Sequence, residues 1–212
     1  MKTKPCLFDL DGTLCDHTGA LMRDLAKIQS PNDPPIKRHD DDEPEWVKER
    51  KRLIRSQKNW WFNLEPLELG FDIYNVAREI KFEPLNVLTK GPWTCANAWS
   101  EKVEWCRWHL HDDVKITISE DKSIVYGRVL VDDYIPYVVG WLNHRPRGVV
   151  IMVAQPENEF YVEEAEKYCK KIKSSESLHN FMKACKERRV IRYDGSNLHE
   201  VKSLMEWAFN RE

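Results

Sequence analysis

Two carboxylates one residue apart, Asp9 and Asp11, stand in CLFDLDGTL (6–14), directly after three apolar residues and directly before Gly12. The apolar triplet reads as the end of a buried strand, which delivers both acids to a turn at the strand's C-terminal edge. Carboxylates so placed can share one small, hard cation. Gly12 lets backbone amides approach an oxyanion, and Thr13 can cap a following helix or hydrogen-bond a phosphate. Further along, Thr89 ends LNVLT, Lys122 follows VKITIS, and Asp132 and Asp133 close VLVDD. Each of these is an ordinary residue type alone, but each falls at or just beyond the end of an expected strand.

Transfer of a phosphoryl group to a carboxylate asks for such a set: a nucleophile, a proton donor for the leaving oxygen, a cation, and hydrogen-bonding or positive groups for the equatorial oxygens. Asp9 is then the nucleophile, forming an aspartyl phosphate, and Asp11 the acid that protonates the leaving alkoxide and afterwards activates water. Magnesium would be held by Asp9, by Asp11 through its backbone carbonyl, and by Asp132 and Asp133. Thr89 would donate to a phosphoryl oxygen, and Lys122 would pair with nucleophile and phosphate, keeping Asp9 ionised.

The elements that must position these groups alternate. A helix is expected over 17–28, a Pro-rich loop with the acidic run Asp40 to Glu43 over 29–44, and a charged helix over 45–63 that ends in Trp60, Trp61 and Phe62. The acidic run is expected to point away from a phosphate site. Beyond it come a helix (69–81), a strand (85–89), a tryptophan-rich helix (96–110), strands at 114–119 and 129–133, a helix (135–144) and the strand GVVIMVA (148–154), apolar on both faces. This pattern predicts an α/β fold: a doubly wound, Rossmann-like parallel sheet with a small helical cap inserted between its first and second strands. The core is expected over 1–16 and 64–212, the cap over 17–63. Amphipathic helices at 160–173 and 177–187, a strand at 190–195 and a last helix capped at Ser196 or Asn197 complete the chain.

The chain has 212 residues, 42% of them hydrophobic, and a formal charge of −2. That is enough for one sizeable core, and it carries no basic block for gripping long nucleic acid. Six cysteines without CxxC spacing read as reduced thiols, and the sequence shows neither a signal peptide nor a membrane span. The expectation is a cytoplasmic protein with a small-molecule phosphate as partner and no membrane; a homodimer is left open.

In order, DxDGT, the strand ending in Thr89, Lys122 and the acidic pair resemble the four motifs of the haloacid dehalogenase (HAD) superfamily of aspartate-nucleophile phosphatases. The segments FNLEPLELGFDIYNVA (62–77), EKVEWCRWHL (101–110) and ITISEDKSIVYGRVLVDDY (116–134) further resemble the 5′(3′)-deoxyribonucleotidase family. That resemblance implies a magnesium-dependent nucleoside monophosphate phosphatase whose cap aromatics, here Trp60, Trp61 and Phe62, stack on the base. Those rings are equally suited to packing between cap and core. Two residues depart from the family pattern: Glu120 stands where members carry Arg, and Lys90 where they carry Ser. Either Glu120 turns outward while Lys90 supplies the missing charge, which is preferred, or Glu120 reads a substrate group. Other readings to be separated are a HAD phosphatase for another small phosphate or a polynucleotide 3′ phosphate, and a non-catalytic nucleotide-binding relative.

Overall fold

A computed structural model describes residues 3–38 and 43–211. Asp40, Asp41 and Asp42 of the acidic run therefore lie outside the described residues. Among the described residues the strands form one parallel sheet of six. In chain order they are β1 (Cys6–Phe8), β2 (Leu85–Thr89), β3 (Lys115–Ile118), β4 (Val129–Val131), β5 (Val149–Val153) and β6 (Val190–Tyr193). Their spatial order is β3-β2-β1-β4-β5-β6. The chain thus builds outward from β1 in one direction, returns, and builds outward in the other. The reversal falls between β1 and β4, where strand ends diverge and an α/β sheet binds its ligand.

The strands are short and apolar because both faces are covered. Cys6 and Phe8 face one hydrophobic cluster and Leu7 the other; Val149, Ile151 and Val153 alternate with Val150 and Met152 in the same way. The first face is closed by α3 (Glu68–Ile80), α4 (Asn97–His109) and α8 (Leu198–Asn210). The second is closed by α5 (Ile135–His144), α6 (Tyr161–Lys171) and α7 (Ser175–Lys186), with the Trp141 ring fully buried.

Between β1 and α3 lie α1 (His17–Lys27) and α2 (Glu45–Arg55). They share a small cluster of their own, Leu21, Leu25 and Ile54, against Met22, Ile36 and Trp60. The second helix ends at Arg55 rather than at Asn63. Residues 56–63 form turns instead, with Asn59 at φ +65°, and the Glu101 carboxylate of α4 takes the Asn59 and Trp61 amides at 2.8 and 3.0 Å. A tertiary acceptor has replaced the helical one, which periodicity along the chain cannot report.

This helical layer is fastened on two sides. On the first, Asn97 donates to the Gln57 carbonyl and Trp105 to the Leu64 carbonyl, so α4 holds the layer along its length. On the other, Arg38 reaches Glu157 at 2.5 Å and the Gln155 side chain at 3.0 Å, while Gln155 donates to the Gly12 carbonyl.

Candidate active site

The loop after β1 is shaped by its backbone. Asp9 continues β1, its amide donating to the Val131 carbonyl of β4. Gly12 then turns at φ +80°, and a Cβ there would lie 2.4 Å from an Asp133 carboxylate oxygen. Only glycine fits both the conformation and the approach. The LEP segment seals the loop from below: Asp16 donates to the Glu65 carbonyl, Leu67 to the Leu14 carbonyl, and Gly70 packs against the Thr13 carbonyl with no room for a Cβ.

Within this frame Lys122, 1% exposed, lies 2.6 Å from Asp9 and 2.8 Å from Asp132. Asp121 caps the short 3₁₀ turn that carries the lysine, accepting from the Ser123 amide. Asp132 also accepts from the Tyr134 amide, and Asp133 from the Thr13 hydroxyl at 3.0 Å. Thr13 is therefore turned to an acid rather than toward a phosphate.

Asp9, Asp132 and Asp133 each offer an oxygen within a common 4.8 Å. Burial, then the Asp132 and Asp11 charges, push Asp9 up to about 7 against the pull of Lys122. Burial and then Asp132 and Asp9 push Asp133 well above the usual carboxylate range. Buried acids crowded without enough positive charge are what a cation relieves. The site holds four carboxylates and two buried ammonium groups: Lys102 pairs with Asp11, Lys122 with Asp9 and Asp132, and Asp133 pairs with neither. The two charges left over and the all-oxygen donor set fit a small dication such as magnesium. The Asp11 carboxylate lies outside the three-acid cluster.

Asp11 is held by Lys102, a residue that sequence reasoning assigned no role. This buried lysine of α4 donates to Asp11 at 2.6 Å, to the Thr89 hydroxyl at 3.1 Å and to the Lys90 carbonyl at 2.7 Å, which uses all three of its hydrogens. Burial works to raise Asp11, but Lys102 and then His17 outweigh it and hold the acid below its usual value. The Thr89 oxygen accepts from Lys102, a bond that does not use its own hydrogen. Lys102 stands in the EK-x-x-W helix already noted in the sequence; only the helix orientation separates it from a surface lysine.

These groups open into a cleft of about 400 Å³ lined by Asp9, Asp11, Asp133, His17, Arg55, Trp61, Lys90, Lys102, Trp93, Tyr134 and Tyr137, among others. Of the cap aromatics, Trp61 reaches the cleft wall but is 3% exposed, its ring stacked by His17 and overlain by Lys102. The structure does not bring Trp60 or Phe62 to the cleft: Trp60 donates to Asp24, and Phe62 meets Trp108 edge-on. An unforeseen ring stands at the mouth, Trp93, 83% exposed. Lys90 lines the cleft, whereas Glu120 is exposed outside it.

The switch-point sheet with acids at its strand ends is a HAD-like fold. A solved structure from Burkholderia xenovorans LB400, described as a haloacid dehalogenase-like hydrolase, shares the fold with TM-score 0.55 at 12% identity, covering 95% of this chain and 98% of that one. Residues 4–173 match the family described as 5′ nucleotidase, deoxy (pyrimidine), cytosolic type C protein, and the chain belongs to that family. It is accordingly an enzyme, a nucleotidase-type phosphatase. No curated protein matches the chain. Among the described residues no helix is long and apolar enough to cross a membrane.

Proposed function

We propose that the protein is a magnesium-dependent phosphomonoesterase that hydrolyses nucleoside or deoxynucleoside monophosphates through an aspartyl phosphate on Asp9. The observation that carries this reading is the Asp9–Lys122 pair at the switch point with Asp11 on a separate lysine, which supports a division of labour in which Asp9 attacks and Asp11 moves a proton. Asp9 keeps one oxygen on Lys122 and presents the other to phosphorus. Thr89 donates its free hydrogen to an equatorial oxygen, and Lys122 and Lys90 bring positive charge. Asp9, Asp132 and Asp133, with the Asp11 backbone carbonyl, would hold the magnesium, which neutralises the crowded acids and orients the phosphate.

Asp11 is ionised in the free enzyme because of Lys102. A phosphate dianion arriving beside it opposes that lysine and raises the acid toward protonation, so the proton donor is a property of the complex. After Asp9 is phosphorylated and the leaving alkoxide has taken the proton, Asp11 is again an anion on Lys102, suited to deprotonate the attacking water.

The family match and the cleft size support a small nucleotide rather than a polymer. Trp93 is the ring free to meet a base, since Trp61 is already covered on both faces. The core is proposed over 1–16 and 64–212 with the cap over 17–63, and the family's cytosolic designation supports a cytoplasmic location. A turnover assay with and without magnesium, over a panel of nucleoside monophosphates, sugar phosphates and 3′-phosphorylated oligonucleotides, tests the reading. Magnesium-dependent release from the monophosphates is expected. Turnover confined to another substrate group, or none with any, overturns it.

A further inference from the structure

Arg55 is the last residue of α2 and lines the cleft, where the Asp11 charge acts on it. Its backbone is fixed from both walls. The Arg55 carbonyl accepts from the Trp61 indole at 2.9 Å and from the Cys95 thiol, at the foot of α4, at 2.8 Å. Its Nε donates to the Lys51 carbonyl at 3.1 Å. Among the described residues the guanidinium makes no ion pair, which leaves the hydrogens of both terminal nitrogens without an acceptor. A half-buried guanidinium with no ion pair, under the charges of Asp11 and Glu43 only from a distance, keeps its planar fork available to oxygen acceptors that enter the cleft.

The second observation is independent. His17, first residue of α1, lies in the same cleft with its ring stacked on Trp61, centroids 5.0 Å apart, and edge-on to Trp60. Its Nε2 is buried and has no hydrogen-bond partner. The stack on Trp61 holds the ring in the cleft wall, with that nitrogen left without a partner. Two polar groups on neighbouring helices thus line the cleft without an ion pair among the described residues, both under the influence of the Asp11 charge.

We infer that Arg55, with His17 beside it, is the specificity-determining residue of this phosphatase, receiving oxygen acceptors on the leaving-group half of the substrate. The inference rests on the phosphomonoesterase reading above and adds to it the half of the substrate that is not transferred. The acceptors have two candidate sources, the ring carbonyls of a keto base or a second phosphate on the sugar. A planar fork suits the first by paired hydrogen bonds; a plain charge suffices for the second.

The experiment compares kcat/KM for phenyl phosphate, which carries no such acceptor, with uridine 5′-monophosphate, adenosine 5′-monophosphate and a nucleoside 3′,5′-bisphosphate. It is run on the wild type, Arg55→Gln, Arg55→Lys and His17→Phe with magnesium present. In the wild type at least one oxygen-bearing substrate is preferred over phenyl phosphate, and Arg55→Gln lowers that preference by on the order of tenfold or more, the scale of a lost charge-assisted hydrogen bond. His17→Phe keeps the stack and lowers the same preference by a few fold. If uridine monophosphate is the substrate affected and Arg55→Lys fails to restore it, the acceptor is the base carbonyl; if the bisphosphate is affected and Arg55→Lys restores it, the acceptor is the second phosphate. Equal losses on phenyl phosphate, or an unchanged preference in both Arg55→Gln and His17→Phe, overturn the inference. A wild type that fails to hydrolyse phenyl phosphate and nucleotides alike overturns the phosphatase reading itself, and so the two failures are told apart.

Discussion

The floor of the cleft and its helical wall are built on different principles. The floor's acids ride on strand ends whose neighbours are fixed by backbone ladders, β1 beside β2 and β4 in matched register. The wall hangs on side chains: Glu101 and Asn97 on one flank, Arg38 on the other. A backbone ladder places an atom with little freedom, whereas a side-chain clasp can be redrawn by one substitution. The chemistry should therefore tolerate changes in the wall, and the choice of substrate should not.

The sharpest way to break that division is at Asp9, the proposed nucleophile. Asp9→Asn removes a charge from a crowded acid cluster, so the fold should hold by thermal melting while turnover falls by on the order of 10⁴ or more. Residual activity near wild type would show that the floor does not do the chemistry assigned to it.

Magnesium gives the next largest effect, and one with no need of turnover. The folded-state value of Asp9 is raised from 3.8 to about 7, so the folded protein binds more protons than the unfolded chain between those pH values. Stability of the metal-free protein then falls as pH rises from about 4 to about 7. The cation competes with that proton, so the gain in melting temperature on adding magnesium should be larger at pH 8 than at pH 5. A gain independent of pH would separate metal binding from these acids.

The wall is probed by Glu101→Ala, which leaves the Asn59 and Trp61 amides without their acceptor in a buried place. The expected cost is about 3 kcal/mol of stability, with nucleotide recognition lost more than turnover of an aryl phosphate. Trp93→Ala should leave the melting temperature unchanged, because the ring is exposed, yet cost ~1–3 kcal/mol in nucleotide recognition if it stacks on the base. Smallest of all is Glu120→Gln: the side chain lies outside the cleft, and kcat/KM should stay within about twofold of wild type on every substrate. A selective loss on one nucleotide would return Glu120 to the site.

The same division governs what the sequence makes legible. Strand β2 and helix α5 fall at the residues that periodicity predicts; Asp9 and Asp133 follow strand ends, Lys122 joins them from the turn after β3, and Thr89 at the end of β2 connects through Lys102 to Asp11. Lys102 escapes such reading since a helix shows four faces and the sequence does not say which meets the sheet edge. Arg55 and the turns after it escape for a similar reason: α2 stops where Glu101, more than forty positions later, claims its amides. Trp61 shows the limit from the other side, an aromatic rightly placed along the chain whose faces are already covered by His17 and Lys102.

The central position of β1 has a consequence for how the protein is made. This strand is synthesised ahead of all the others in the sheet, yet its neighbour β4 arrives only with residues 129–131, and the Thr13–Asp133 bond closes a span of 120 residues. Such distant pairing is slow to form. While the ribosome works through that span, the apolar strand CLF waits without one of its flanks, a stretch for chaperones to guard. Over the same interval Asp9 has neither Lys122 beside it nor the acid pair to share a cation. An unfinished chain therefore carries Asp9 without the partners on which its proposed role depends, and they assemble only as the fold closes around it.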